Sequence, residues 1–343
     1  MPKPSRPLLP TAMHFDFQHA VQAPFRMQPG LRRLSPGSPQ LTPNRPGARH
    51  LREKLAVLVG WPEEALLCQP GFDPVPALAR VAEQAAQEHP QAWQVSPDGG
   101  WHARWLGWAV AADGQVQPQP GSALPEVGAC LQALAPEWRQ PGLLALAFAE
   151  DFAIVDGAAA TLPWLAVALP SNWSPREKIG RHFAEVHAPV ADNQLLVTAG
   201  AHLMRLVTGT DRWERFVWNI SRHPRLHSHP DRVESRPWPA ELTAEALAAA
   251  AWLRTERQTF VPLPERQQAV FTILVHSAPL AEAVQQPEDA RRLHDALASM
   301  SPAVLAYRSL SPARDRLLAW LAQRAGPAPA TAATPAQGPS QAS

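Results

Sequence analysis

Cysteine, lysine and tyrosine are scarce in this chain of 343 residues, which holds two Cys, three Lys and one Tyr. Cys68 and Cys130 lie far apart and outside any Cys-x-x-Cys spacing. This chain alone therefore builds no cysteine-rich zinc or iron–sulfur centre. Neither cysteine sits in a nucleophile or thiolate–haem signature, and both read as small buried hydrophobes. Gly-x-Gly-x-x-Gly, phosphate-loop, Gly-x-Ser-x-Gly and His-Glu-x-x-His motifs are also missing. That argues against a nucleotide-binding fold, a common hydrolase or a common metalloprotease. No run of about 18 apolar residues occurs, and Met1-Pro-Lys-Pro-Ser-Arg-Pro7 has no apolar signal-peptide core. A soluble, cytoplasmic protein with no membrane partner is expected. A net charge of +1, with no basic run, gives no footprint for nucleic acid.

Hydrophobic residues make up 45% of the chain, enough for a sizeable core in one large domain or two modest ones. Thirteen Trp suit amphipathic pocket walls or simply the core. Residues 1–50 are rich in Pro and Gly and read as an extended, flexible arm. From Gly326 a Pro/Ala/Ser/Gln-rich tail is expected to be disordered through residue 343. Between them, 51–325 reads as a single α+β domain. Apolar spacing predicts helices over 48–60 and 74–89, with Leu51, Leu55 and Leu58 on one face of the first. Strands are expected over 101–110, 162–169, 215–220, 252–261 and 269–276. Ser174, Pro175 and Glu177 read as the start of a helix reaching 187, and further helices are expected over 195–207, 287–297 and 311–324.

Candidate functional residues concentrate in two segments. On the expected helix, Lys178, Arg181 and His182 share one side, either a site for an anionic group or a solvated face. His187 lies between Val186 and Pro189 and is either a metal ligand or a packed, hydrogen-bonded His. In the other segment, Arg254, Glu256 and Gln258 of a strand point to one face and Thr255, Arg257 and Thr259 to the other. Charge inside a strand-forming apolar context is costly unless paired or used. Arg257 suits a bidentate grip on a carboxylate or a structural ion pair. His223, His227 and His229 read as a metal-inviting cluster or a surface loop.

Taken in order, Pro170-Ser-x-Trp173, Glu177-Lys-Ile-Gly-Arg181, Val186-His-Ala-Pro-Val190, Leu253-Arg-x-Glu-Arg-Gln-Thr259 and Val270-Phe-Thr-Ile273 resemble the haem-dependent oxidative N-demethylase family. Glu150-Asp151, Trp218-Asn219 and Ala306-Tyr307-Arg308 add weaker matches in the right order. The resemblance implies a PAS-like antiparallel sheet flanked by helices, binding haem b. It also implies O2-dependent oxidative demethylation of a small methylated amine, with electrons from a separate reductase subunit carrying flavin and iron–sulfur centres. His187 is then the candidate haem ligand. Lys178 and Arg181, with Arg254 or Arg257, are candidates for the haem propionates, Trp173 for the pocket wall, and Glu256 for a substrate ammonium. Glu256 and Arg257 are the candidate catalytic pair. Family members continue Phe-Thr-Ile with Arg-Thr-Tyr, whereas this chain has Leu274-Val275-His276. That departure makes His276 a second candidate ligand. It also leaves open a diverged, non-catalytic haem- or ligand-binding PAS-like module.

Overall fold

The computed structural model describes residues 15–121, 123–234 and 236–327. The first fourteen residues of the expected arm, and the expected disordered tail from 328 onward, lie outside the described residues. The strands are β1 (Arg32–Arg33), β2 (Leu66–Cys68), β3 (Trp93–Val95), β4 (Trp101–Ala103), β5 (Trp108–Val110), β6 (Val116–Pro118), β7 (Asp151–Asp156), β8 (Thr161–Ala166), β9 (Trp213–Ser221), β10 (Trp252–Leu263) and β11 (Gln268–Pro279). They form a seven-stranded sheet in the order β1-β9-β10-β11-β7-β8-β2 and a four-stranded sheet in the order β3-β4-β5-β6. Every pairing is antiparallel. With its helices, the chain has the α+β architecture its sequence pattern implied.

The hairpin of β10 and β11 organises the large sheet. Both strands are rich in β-branched and aromatic residues, which pack well on a pleated surface. Pro264–Arg266 forms a 3-10 turn, and Gln267 closes it in the left-handed region at φ 52°. The register then runs unbroken from Trp252↔Pro279 to Leu263↔Gln268. Because side chains alternate, this register assigns every residue to a face. The front face carries Arg254, Glu256, Gln258 and Phe260, opposite Asn219, Val217, Arg215 and Trp213 of β9. The back face carries Thr255, Arg257 and Thr259, opposite Trp218, Phe216 and Glu214.

Helices cover the back face. Val75–Glu88 buries Ala77, Leu78, Val81, Ala82 and Ala85 on one stripe. With Arg49–Gly60 and Pro136–Ala147 it packs on Phe152, Ile154, Trp164, Val261 and Val270. The small sheet extends this core, and Gly128 is required there because a Cβ would meet the Trp108 ring at 2.1 Å. Trp93, Trp164 and Trp320 are fully buried, so much of the tryptophan is core. A second cluster joins the helices Ala244–Ala249, Pro287–Ala298, Pro302–Tyr307 and Arg314–Ala325 to Phe17 and Val21.

Several local expectations differ from the structure. Residues 174–187 are not one helix. A 3-10 turn at Pro175–Glu177 and a short helix at Phe183–His187 flank Gly180, whose φ is 68°. Gly180 N donates to Leu162 O and Phe183 N to Ala160 O, so the chain is tied to the β7–β8 hairpin instead of coiling on itself. Residues 101–110 form two short strands turned at Gly107, not one strand. The described part of the arm is not free. β1 pairs with β9, and Val21, Leu34 and Leu41 are buried.

Candidate functional site

The front face of the large sheet is not filled. Between it, the helices Phe183–His187 and Gln194–Val207, and the loop residues 222–234 and 236 lies a cavity of about 580 Å³. This lies within the range of pockets that enclose small ligands and cofactors. Leu203, Met204, Val207, Phe260, Phe271 and Ile273 give it apolar walls. Its charged lining is lopsided: Lys178, Arg215, Arg222, Arg236, Arg254 and Arg308 against Glu234 and Glu256. That imbalance favours an anionic guest.

His187 is placed here by its short helix. His182 caps that helix, its Nδ1 accepting from Ala184 N while the Glu185 carboxylate accepts from His182 N. One turn on, His187 Nδ1 lies 2.8 Å from Phe183 O. A carbonyl only accepts, so Nδ1 carries the proton and Nε2 keeps its lone pair. Burial lowers the pKa of His187, and Arg215 and Lys178 lower it further, against the Phe183 bond. The ring is therefore neutral near pH 7. A neutral imidazole with one nitrogen anchored to the backbone and the other free is the form that binds iron. Phe183 packs against it, with ring centroids 4.2 Å apart and the planes tilted by 37°.

Trp173, Lys178, Arg254 and Glu256 also border the cavity. Lys178 Nζ donates to Val186 O at 3.1 Å, and burial lowers its pKa. Arg254 is almost fully committed. It donates to Ser171 Oγ at 2.8 Å, Arg225 O at 2.9 Å, Leu226 O at 2.7 Å and Pro170 O at 3.2 Å. It thus staples two loops together at the cavity's edge, and burial brings its pKa down only to about 10. Glu256 accepts from Gln258 Nε2 at 2.6 Å. It forms no ion pair within 4.0 Å among the described residues, so the Arg254–Glu256 neighbours on this face do not pair.

The remaining sequence candidates lie elsewhere. Arg257 is on the back face, where its Nε donates to Glu214 at 2.9 Å and its Nη1 to Pro39 O at 2.9 Å. Arg181 lies in a separate, shallow surface hollow with Glu185 and Pro189. His276 is exposed on the back face, paired in register with Thr255. Leu274 sits opposite Arg257, so the position at which the family carries Arg points away from the cavity. His223 lines the cavity, but no group of three or more His, Cys, Asp or Glu among the described residues is placed to hold a metal ion.

Sequence reasoning missed Arg215 and undervalued Tyr307 and Arg308. Arg215 makes no hydrogen bond or ion pair among the described residues, and its Nε is buried without a partner. Burial lowers its pKa and nearby Glu256 raises it. Its place on the Val217/Asn219 side of an expected strand was the available signal. Arg308 donates to Trp218 O and stacks over Phe25 at 4.7 Å and Trp218 at 5.4 Å.

A second charged cluster lies outside the cavity. Lys54, with 0% exposure, is 3.2 Å from Asp151 Oδ1. It also donates to the carbonyls of Ala145, Phe148 and Glu150. Asp151 Oδ2 accepts from Leu169 N at 2.7 Å. Burial pushes Lys54 down and Asp151 up, while their mutual attraction opposes both shifts. Burial also raises Glu150 to about 7.

Residues 51–318 match the family described as haem-dependent oxidative N-demethylase, alpha subunit-like. The match spans well over half of the chain, and the chain belongs to that family.

Proposed function

From that membership we propose that the protein binds haem b in the front-face cavity and demethylates a small methylated amine. The reaction would use O2 and two electrons from a separate subunit with flavin and iron–sulfur centres. When bound, haem supplies O2 activation: one oxygen atom reaches the methyl carbon, which leaves as formaldehyde, and the other becomes water. The carrying observation is His187, anchored through Nδ1 to Phe183 O and without a hydrogen bond at Nε2 among the described residues, on an apolar cavity with a cationic rim. The five central strands, with helices inserted after the β7–β8 hairpin, support a PAS-like description.

The chain's own residues then take distinct parts. His187 Nε2 is the proposed iron ligand. Lys178, Arg222, Arg236 and Arg308 line the cavity and suit the propionates. Arg254 contributes positive charge while holding the loops that frame the site. Glu256 offers a carboxylate to the substrate ammonium, and Trp173 walls the pocket. Among the described residues no helix is long and apolar enough to cross a membrane.

The test is a visible absorption spectrum of the purified protein, followed by oxygen uptake with dimethylamine and a competent reductase. A haem Soret band that shifts or collapses in His187→Ala is expected. A colourless chain that takes up no haem on reconstitution would overturn the proposal.

A further inference from the structure

Arg215 and Glu256 are diagonal neighbours on the cavity face. Glu256 pairs in register with Val217, and Gln258 with Arg215. Such diagonal positions stand about 7–8 Å apart, within reach of long side chains. Opposite charges so placed ordinarily close into an ion pair, yet no Arg215–Glu256 contact forms within 4.0 Å. Gln258 holds one Glu256 oxygen at 2.6 Å, while the Arg215 guanidinium has no hydrogen-bond partner among the described residues and its Nε is sealed from solvent. An unpaired guanidinium kept this way is costly unless something else completes it.

The other cavity arginines stand apart from it. Arg254 is opposite Asn219, Arg308 bonds the Trp218 carbonyl, and Arg222 follows the end of β9. Four residues of strand, roughly 13 Å, separate Arg215 from the Asn219 level. Arg215 is thus free for a second anionic group, one lying close to whatever Glu256 holds. A simple dialkylammonium would satisfy Glu256 and leave Arg215 bare.

We propose that the substrate is zwitterionic, an N-methylated amino acid whose ammonium meets Glu256 and whose carboxylate meets Arg215. The fork of the guanidinium matches a carboxylate bidentately, and Val217, Phe271 and Ile273 leave apolar room for the N-methyl groups. The proposal rests on the N-demethylase assignment for its chemistry but not for its binding geometry.

Calorimetric titration of the full chain as purified, with N,N-dimethylglycine and with dimethylamine, tests it. The expected result is tighter binding of N,N-dimethylglycine by about tenfold or more, the scale of one charge-assisted contact. Arg215→Gln should erase that preference by weakening N,N-dimethylglycine without weakening dimethylamine. The methyl ester of N,N-dimethylglycine, which lacks the anion, should lose the preference on the unaltered protein, so the answer survives if the variant fails to fold. Equal or tighter binding of dimethylamine, or an Arg215→Gln variant that weakens both ligands alike, overturns the proposal. If no haem is taken up, the demethylase assignment falls on the spectrum alone, and the same titration still decides the zwitterion site.

Discussion

The two faces of β10 carry the same kinds of residue and use them in opposite ways. On the back, Arg257 meets Glu214, which Arg32 also grips at 2.8 Å, and Thr259 meets Thr272 and Gln40. On the front, among the described residues, Glu256 has no cation in contact and Arg215 has no partner. The back-face charges complete the fold, as Arg254 does on the front by holding two loops, whereas Glu256 and Arg215 wait for something the fold does not supply. The Lys54–Asp151 pair belongs with the back face in this respect, since it is dry and hydrogen-bonded from several sides.

Substitutions should therefore separate stability from binding according to the face they touch. Lys54→Met should cost most, about 3–5 kcal/mol in denaturant unfolding, because it strands the Asp151 carboxylate in a dry interior. A cost under about 1 kcal/mol would show that Asp151 is already neutral there. His187→Ala should lower haem retention by about tenfold or more, while the haem-free chain unfolds within about 1 kcal/mol of the parent. The sharpest contrast is between two glutamates. Glu214→Gln should cost about 1–3 kcal/mol by leaving Arg257 without a counter-charge and Arg32 with Asp16 alone. Glu256→Gln should change stability by less than about 0.5 kcal/mol and reduce amine binding instead. Equal stability losses in the two variants would erase the distinction between faces.

Acidity offers a gentler probe. Glu150, raised by burial from 4.5 to about 7, binds a proton in the folded chain over a range where the unfolded chain has lost it. Its contribution therefore favours folding at low pH and is lost as pH rises from about 4.5 through 7. His50, lowered by burial from 6.5 to about 4, acts in the opposite sense between those two values. Unfolding midpoints at pH 5, 6, 7 and 8 should show Glu150→Gln removing the fall toward pH 8 and leaving the rise from acid. The smallest effect belongs to His276→Tyr, which restores a family residue on the exposed back face. It should leave the haem spectrum and amine affinity unchanged within about twofold.

Alternation made the hairpin legible in advance. Arg254, Glu256 and Gln258 fell on one face and Arg257 on the other because strand geometry leaves no third choice. What alternation cannot show is which face meets a cavity, and so Arg257 was placed beside Glu256 in function when a sheet's thickness separates them. The helix expected over 174–187 failed at Gly180, where long-range bonds to Leu162 and Ala160 outweigh local propensity. Arg215 looked ordinary because its meaning lies in a missing partner, and only the register with Gln258 exposes that. The Leu274-Val275-His276 departure looked alarming for the opposite reason. Leu274 and His276, where the family carries Arg and Tyr, belong to the back face.

The family match begins at residue 51, but the pocket does not. Met27, Pro29 and Leu31 form part of its wall, Arg32 bonds Glu214, and Gln40 bonds Thr259 and the Phe260 carbonyl. A protein trimmed to the matched region would keep every recognisable motif and lose one side of its container. Anyone preparing a shorter version for crystals or assays should therefore cut ahead of Phe15, which also spares the buried Phe17 and Val21.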